Sequence, residues 1–96
     1  MMTDIDDRMR SLRTKFIAQT LDSIPSVEKS VASRDWPSLV ATAHSLAGRA
    51  GMFGFPGLGD AARTAEEAIG DGATDDVIER LGFEFLAQLR TLRHDL

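Results

Sequence analysis

Asp35-Trp36-Pro37-Ser38-Leu39-Val40-Ala41-Thr42-Ala43-His44-Ser45-Leu46-Ala47-Gly48-Arg49-Ala50-Gly51-Met52-Phe53 is the stretch that decides the fold of this chain. Trp36, Leu39, Ala43, Leu46, Ala50 and Phe53 recur at steps of three and four, the spacing of one buried face on a helix of 3.6 residues per turn. Asp35 carries the short acceptor side chain of an N-cap, and Pro37 suits an opening turn. The pattern predicts a helix running to about Met52, followed by a turn at Gly54-Phe55-Pro56-Gly57.

Toward the N-terminus, Ile5, Met9, Leu12, Phe16, Ile17, Leu21 and Ile24 form another helical stripe, with Arg8, Arg10, Arg13 and Lys15 mostly off it. Pro25 has no amide hydrogen to give and would clash with the carbonyl of Leu21, so the helix kinks there or ends and restarts, and Val27 and Val31 continue the apolar face. Toward the C-terminus, Leu58, Ala61, Ala62, Ala65 and Ile69 predict a fourth helix that stops at Gly70-Asp71-Gly72. A fifth begins near Thr74, with Asp75 and Asp76 at its positive end and Ile78, Leu81, Phe85, Leu89 and Leu92 inward. Nothing alternates with the period of a strand. The expected fold is all-α: an up-down four-helix bundle with an additional short or kinked N-terminal helical element.

The 96 residues are 43% hydrophobic and 27% charged, the size and balance of a single globular domain spanning 1–96. Eleven basic residues against 15 acidic ones give a net charge of −4, and the basic residues are spread along the chain, which argues against a nucleic-acid partner. Cysteine is absent, so packing rather than disulfides or thiolate-bound metal must stabilise the domain. Met1-Met2-Thr3-Asp4-Ile5-Asp6-Asp7 is acidic where a secretory signal is basic and then apolar, and no run approaches the ~20 apolar residues of a membrane span. A cytoplasmic monomer that does not engage membranes is expected. The chain has no His-Glu-x-x-His and no Gly-Lys-Ser/Thr, so no bound metal or cofactor is expected. The glycines of 54–59 follow no strand and precede no lysine; they read as a turn between helices.

His44 and His94 are the two histidines. His94 lies near the C-terminus between Arg93 and Asp95 and reads as a surface residue. His44 lies roughly 130° from the centre of its helix's core face, which points it to solvent. The positions sharing its side are Val40, Ala41, Ala47, Gly48 and Gly51, all small or short. A glycine inside a helix costs on the order of 1 kcal/mol relative to alanine, so two beside one histidine need a reason. Either a neighbouring helix packs closely there, or the surface is cleared for a partner that must touch the imidazole. An imidazole keeps an unprotonated nitrogen at neutral pH, as nucleophilic attack on phosphorus requires. Serine-type hydrolysis is poorly supported: Ser45 points elsewhere, and no acid is expected in a position to orient the ring.

These residues resemble the histidine-containing phosphotransfer (HPt) domains of two-component phosphorelays. Ala43-His44-Ser45-Leu46-Ala47-Gly48 is similar to that family's Ala-His-x-Leu-Lys-Gly core, Gly54 and Leu58 fall at its second glycine and following leucine, and Glu66 or Glu67 fits the acidic position ending the next helix. Arg34-Asp35-Trp36 resembles its acidic and aromatic approach to the histidine helix. The resemblance implies a phosphocarrier without autonomous catalysis: His44 is the phosphoacceptor, and Val40, Ala41, Ala47, Gly48 and Gly51 form the docking face. The implied partners are receiver domains of response regulators and hybrid histidine kinases, with Mg2+ held by the receiver. A helical docking or scaffold module that uses the same face without phosphorylation is the alternative. The sequence departs from the family at Ala47, where lysine is usual: either an arginine on another helix, such as Arg8, Arg10 or Arg13, or the partner supplies the cation, or the departure marks slower transfer or a degenerate, non-phosphorylated binding module. Arg49 lies about 140° round the helix from His44 and is a poor substitute.

Overall fold

A computed structural model describes residues 2–96 of the chain. Five α-helices follow in order: α1 (Met2–Asp22), α2 (Ile24–Ala32), α3 (Trp36–Ala50), α4 (Pro56–Gly70) and α5 (Asp75–Thr91), the last running into a 3-10 turn over Leu92–Asp95. Strands are absent among the described residues. α1 and α2 form one arm broken at Ser23, and Pro25 sits in the opening turn of α2, where its missing N–H forfeits no helical bond. α2 packs on α3 and α5, and α4 packs on the same two helices from the other side. The result is the expected four-helix bundle, with the kinked N-terminal element as its first arm.

Local chemistry fixes where the helices start. Asp35 accepts from the backbone N–H and the hydroxyl of Ser38, and the Thr74 hydroxyl accepts from the N–H of Val77. Between α2 and α3 the backbone turns through Arg34 at φ 53°, and its guanidinium bonds Asp76 and Glu79 of α5 at 3.0 and 2.8 Å. Glu79 first, then Asp76, hold that guanidinium above its ordinary pKa. With the indole N–H of Trp36 donating to Asp75, this turn fastens the start of α5 to the start of α3.

The core gathers Val27 and Val31 of α2, Leu39, Ala43, Leu46 and Ala50 of α3, Leu58, Ala62 and Ala65 of α4, and Ile78, Phe85, Leu86 and Leu89 of α5. Trp36, Ala61 and Ile69 pack against its rim, and Leu81 is half-buried. Gly82 sits within the core stripe of α5 because α2 comes close there: a Cβ at 82 would lie 2.9 Å from Cγ2 of Val31 and 3.5 Å from Cδ2 of Leu39. Gly82→Ala therefore overpacks a β-branched, buried neighbour, a cost of ~1–3 kcal/mol offset by about 1 kcal/mol of helix propensity. We expect the melting temperature to fall by roughly 4–8 °C, read by circular dichroism. An unchanged or raised melting point would show that α2 and α5 are not held this closely.

Two expectations are corrected. Ile5, Met9 and Leu12 do not join the core; they are 66%, 48% and 44% exposed. α1 and α2 together hold 21 and 9 helical residues in one arm against 15 in α3, about 45 Å against about 22 Å, so the front of α1 runs past the end of α3. That extension draws the molecule out to 52 × 22 × 18 Å, and α1 itself enters the hydrophobic core only at Phe16 and Ile17. Second, α3 stops at Ala50 rather than at about Met52. The N–H of Phe55 reaches back to the carbonyl of Ala50 at 2.9 Å, and Gly54 at φ 88° makes the left-handed turn this requires. Phe53 leaves the helix yet stays half-buried, its ring stacked on Phe16 at 4.8 Å.

Candidate functional site

His44 lies past the middle of α3 on the side away from the core. Ala43 and Leu46, 0% and 3% exposed, lock the rotation of the helix, and this leaves the His44 side chain 80% exposed. Its Nδ1 is bonded to the Oε2 of Glu66 on α4, a carboxylate that is itself only 29% exposed. A carboxylate can only accept, so Nδ1 carries the hydrogen and the lone pair of Nε2 is directed outward. An acid does orient the ring, contrary to the expectation from sequence. Glu66 is 22 residues along the chain on another helix, and only the register of α3 against α4 brings it to His44.

That register is set by small residues. A Cβ on Gly59 of α4 would lie 3.4 Å from the carbonyl oxygen of Ala47 and 3.6 Å from Cβ of Ala50, so the two antiparallel backbones nearly touch at this end. Glu66, two turns further along α4, then falls beside His44, two turns back along α3.

Around the imidazole, Ala41, Gly48 and Gly51 are exposed, and Val40 and Ala47 are half-buried. A Cβ added at Gly48 or at Gly51 would meet nothing within 4 Å. No neighbouring helix occupies that space, so close helix packing does not account for either glycine. The backbone is left bare beside the one exposed imidazole that a buried-side acid holds in place.

The cations considered from sequence lie elsewhere. Arg13 donates to the carbonyl of Phe53, pairs with Asp95 and covers the ring of Phe55. Arg10 pairs with Asp7. Arg8 is on the projecting part of α1, about 12 Å along the helix beyond Phe16, which itself lies below Arg49. Arg49 is bound to the carbonyl and hydroxyl of Ser45. The Ser45 hydroxyl thus faces Arg49 and forms no nucleophile–base pair with His44. His94 is exposed on the 3-10 turn at the far end of the chain.

A family model, that of the Hpt domain, matches residues 11–95. The chain belongs to the Hpt domain family. The match begins at Ser11, after most of the projecting part of α1, and takes in every element that builds the bundle and the surroundings of His44. Comparison with curated proteins and with solved structures returned no match. Hpt domains serve phosphotransfer in two-component systems and are helical bundles, as this chain is. No helix of the described residues is long and apolar enough to cross a membrane.

Proposed function

We propose that this Hpt domain relays a phosphoryl group between aspartates of receiver domains, with His44 as the carrier. The observation that supports the reading most is the state of the ring: Nδ1 of a side chain that is 80% exposed is tied to Glu66, and the same helix carries glycines at 48 and 51 whose missing side chains leave open space. In the forward step the Nε2 lone pair forms a bond to phosphorus while the bond from phosphorus to the aspartyl oxygen breaks, and the bonding pair leaves with the aspartate. Nδ1 keeps its proton. The imidazole becomes formally cationic as the phosphoryl group arrives, and the Glu66 carboxylate offsets that charge from the side facing α4. Return to a second aspartate reverses the step.

Phosphoryl transfer asks a protein chiefly to position the nucleophile and to stabilise charge. α3 does the first by presenting the ring from a helix whose rotation the buried Ala43 and Leu46 fix, and Glu66 holds the ring itself. The Mg2+ that neutralises the phosphate stands on the receiver, and the domain acts as a carrier rather than as an enzyme. Its docking face is the short-side-chain patch of Val40, Ala41, Ala47, Gly48 and Gly51, because a receiver must bring its phosphate to within ~3–3.5 Å of Nε2 before the bond can form.

The test is incubation with a phosphorylated receiver domain. Phosphate that is acid-labile and base-stable is expected on the chain, and it should pass on to a second, unphosphorylated receiver. Receiver binding with no phosphate ever found on the chain would favour a docking module instead.

A further inference from the structure

We propose that Arg63 of α4 is the cation that holds the phosphoryl group on His44, in place of a basic residue on α3 itself. The inference rests on His44 being the carrier, and it concerns where this chain finds its positive charge. Once phosphorylated, Nε2 bears a doubly negative phosphoryl group on a ring whose positive charge Glu66 already offsets, and α3 offers only Ala47 one turn on. A cation of the chain near the phosphoryl oxygens would stabilise them by charge-assisted hydrogen bonds.

The register of the two helices says where it comes from. Glu66 stands beside His44, and Gly59 stands against Ala47, Ala50 and Gly51. The α4 residues between them, Ala62 and Arg63, therefore lie alongside Ala47 and Gly48. Ala62 is fully buried and faces the core, whereas the Arg63 side chain is 53% exposed and lies one turn before Glu66 on the same flank. Ala47 and Gly48, the α3 residues alongside, carry no long side chain, and a Cβ at Gly48 would meet nothing within 4 Å. The present partner of Arg63 is Asp60 at 3.2 Å, an i,i+3 pair in which Asp60 is 76% exposed. Solvent screens such a pair, so it is readily exchanged for a doubly charged phosphoryl group. Arg13 and Arg49, by contrast, are committed to backbone carbonyls and aromatic rings on the α1 side of the bundle.

The experiment compares wild type with Arg63→Ala, Arg63→Lys and the double variant Arg63→Ala/Ala47→Lys, using one phosphorylated receiver as donor. Initial uptake is expected to fall roughly five- to tenfold in Arg63→Ala, and most of it should return in Arg63→Lys and in the double variant. Affinity for the unphosphorylated receiver should stay the same in wild type, Arg63→Ala and Arg63→Lys. In phosphorus NMR titrations the last proton of the phosphoryl group should leave at higher pH in Arg63→Ala than in wild type, because a cation favours the dianion. Unchanged uptake in Arg63→Ala, equal loss in the alanine and lysine variants, or a matching loss of receiver affinity would each overturn the assignment while leaving His44 as the carrier. Failure of the wild-type chain to take up phosphate would overturn both.

Discussion

His44→Gln is expected to abolish phosphate uptake completely while shifting the melting temperature by no more than about 4 °C. The two halves of this result have separate causes. The His44 side chain is 80% exposed, and its one hydrogen bond is to a partly exposed carboxylate. Surface substitutions of this kind stay within ~0.5 kcal/mol, and a glutamine amide N–H can still donate to Glu66. Glutamine, however, has no basic nitrogen lone pair, so no bond to phosphorus can form. Uptake measured with a phosphorylated receiver and melting followed by circular dichroism check both halves. Residual transfer in this variant would place the acceptor elsewhere, and a collapsed fold would mean that the Glu66 contact holds the bundle together.

The second large effect is expected at Gly48, where Gly48→Gln should raise stability and cut transfer at the same time. A Cβ there meets nothing within 4 Å, so the glycine is unsupported by packing and glutamine regains on the order of 0.5–1 kcal/mol of helix propensity. The same side chain would project over the approach to Nε2. Displacing a reacting phosphate by as little as ~1 Å costs on the order of 100-fold in rate, and transfer should fall by about that much. Rapid-mixing transfer assays on a variant already shown to melt at or above the wild-type temperature separate the two effects. A lower melting point would mean that the glycine serves the fold. Unchanged transfer would mean that no partner passes over it. Gly82 behaves oppositely: it too is inside a helix, but its missing Cβ is required by Val31, and substitution there should cost stability.

Much of this was legible in the sequence. Apolar residues at steps of three and four located α3, α4 and α5, and Asp35 and Thr74 marked two of the starts because capping is local chemistry. The front of α1 misled because periodicity reports that a helix has an apolar face, not that another helix is there to cover it; Ile5, Met9 and Leu12 carry the pattern on a stretch that stays exposed. The position of His44 on an exposed flank followed from its angle to Leu39 and Leu46. The reason for Gly48 did not, since a gap beside a helix and a neighbour pressed against it leave the same mark in a sequence.

Glu66 is the instructive case. Its place near the end of α4 was readable, but its contact with His44 depends on how far α3 slides against α4, and that is decided by Gly59 meeting Ala47 and Ala50. No single-helix pattern contains this information. Arg63 follows from the same register, one turn before Glu66. Gly82 could have been found earlier: it stands four residues after Ile78 and three before Phe85, on the core stripe, where a glycine signals close backbone approach.

The most direct test of the central claim is a long-range proton–nitrogen spectrum of the histidine side chains, recorded with nitrogen-15 labelling before and after phosphorylation by a receiver. His44 is expected to carry its hydrogen on Nδ1 in both states, with coupling to phosphorus at its Nε2 alone. Phosphorus at Nδ1, on His94, or on no histidine at all would contradict it.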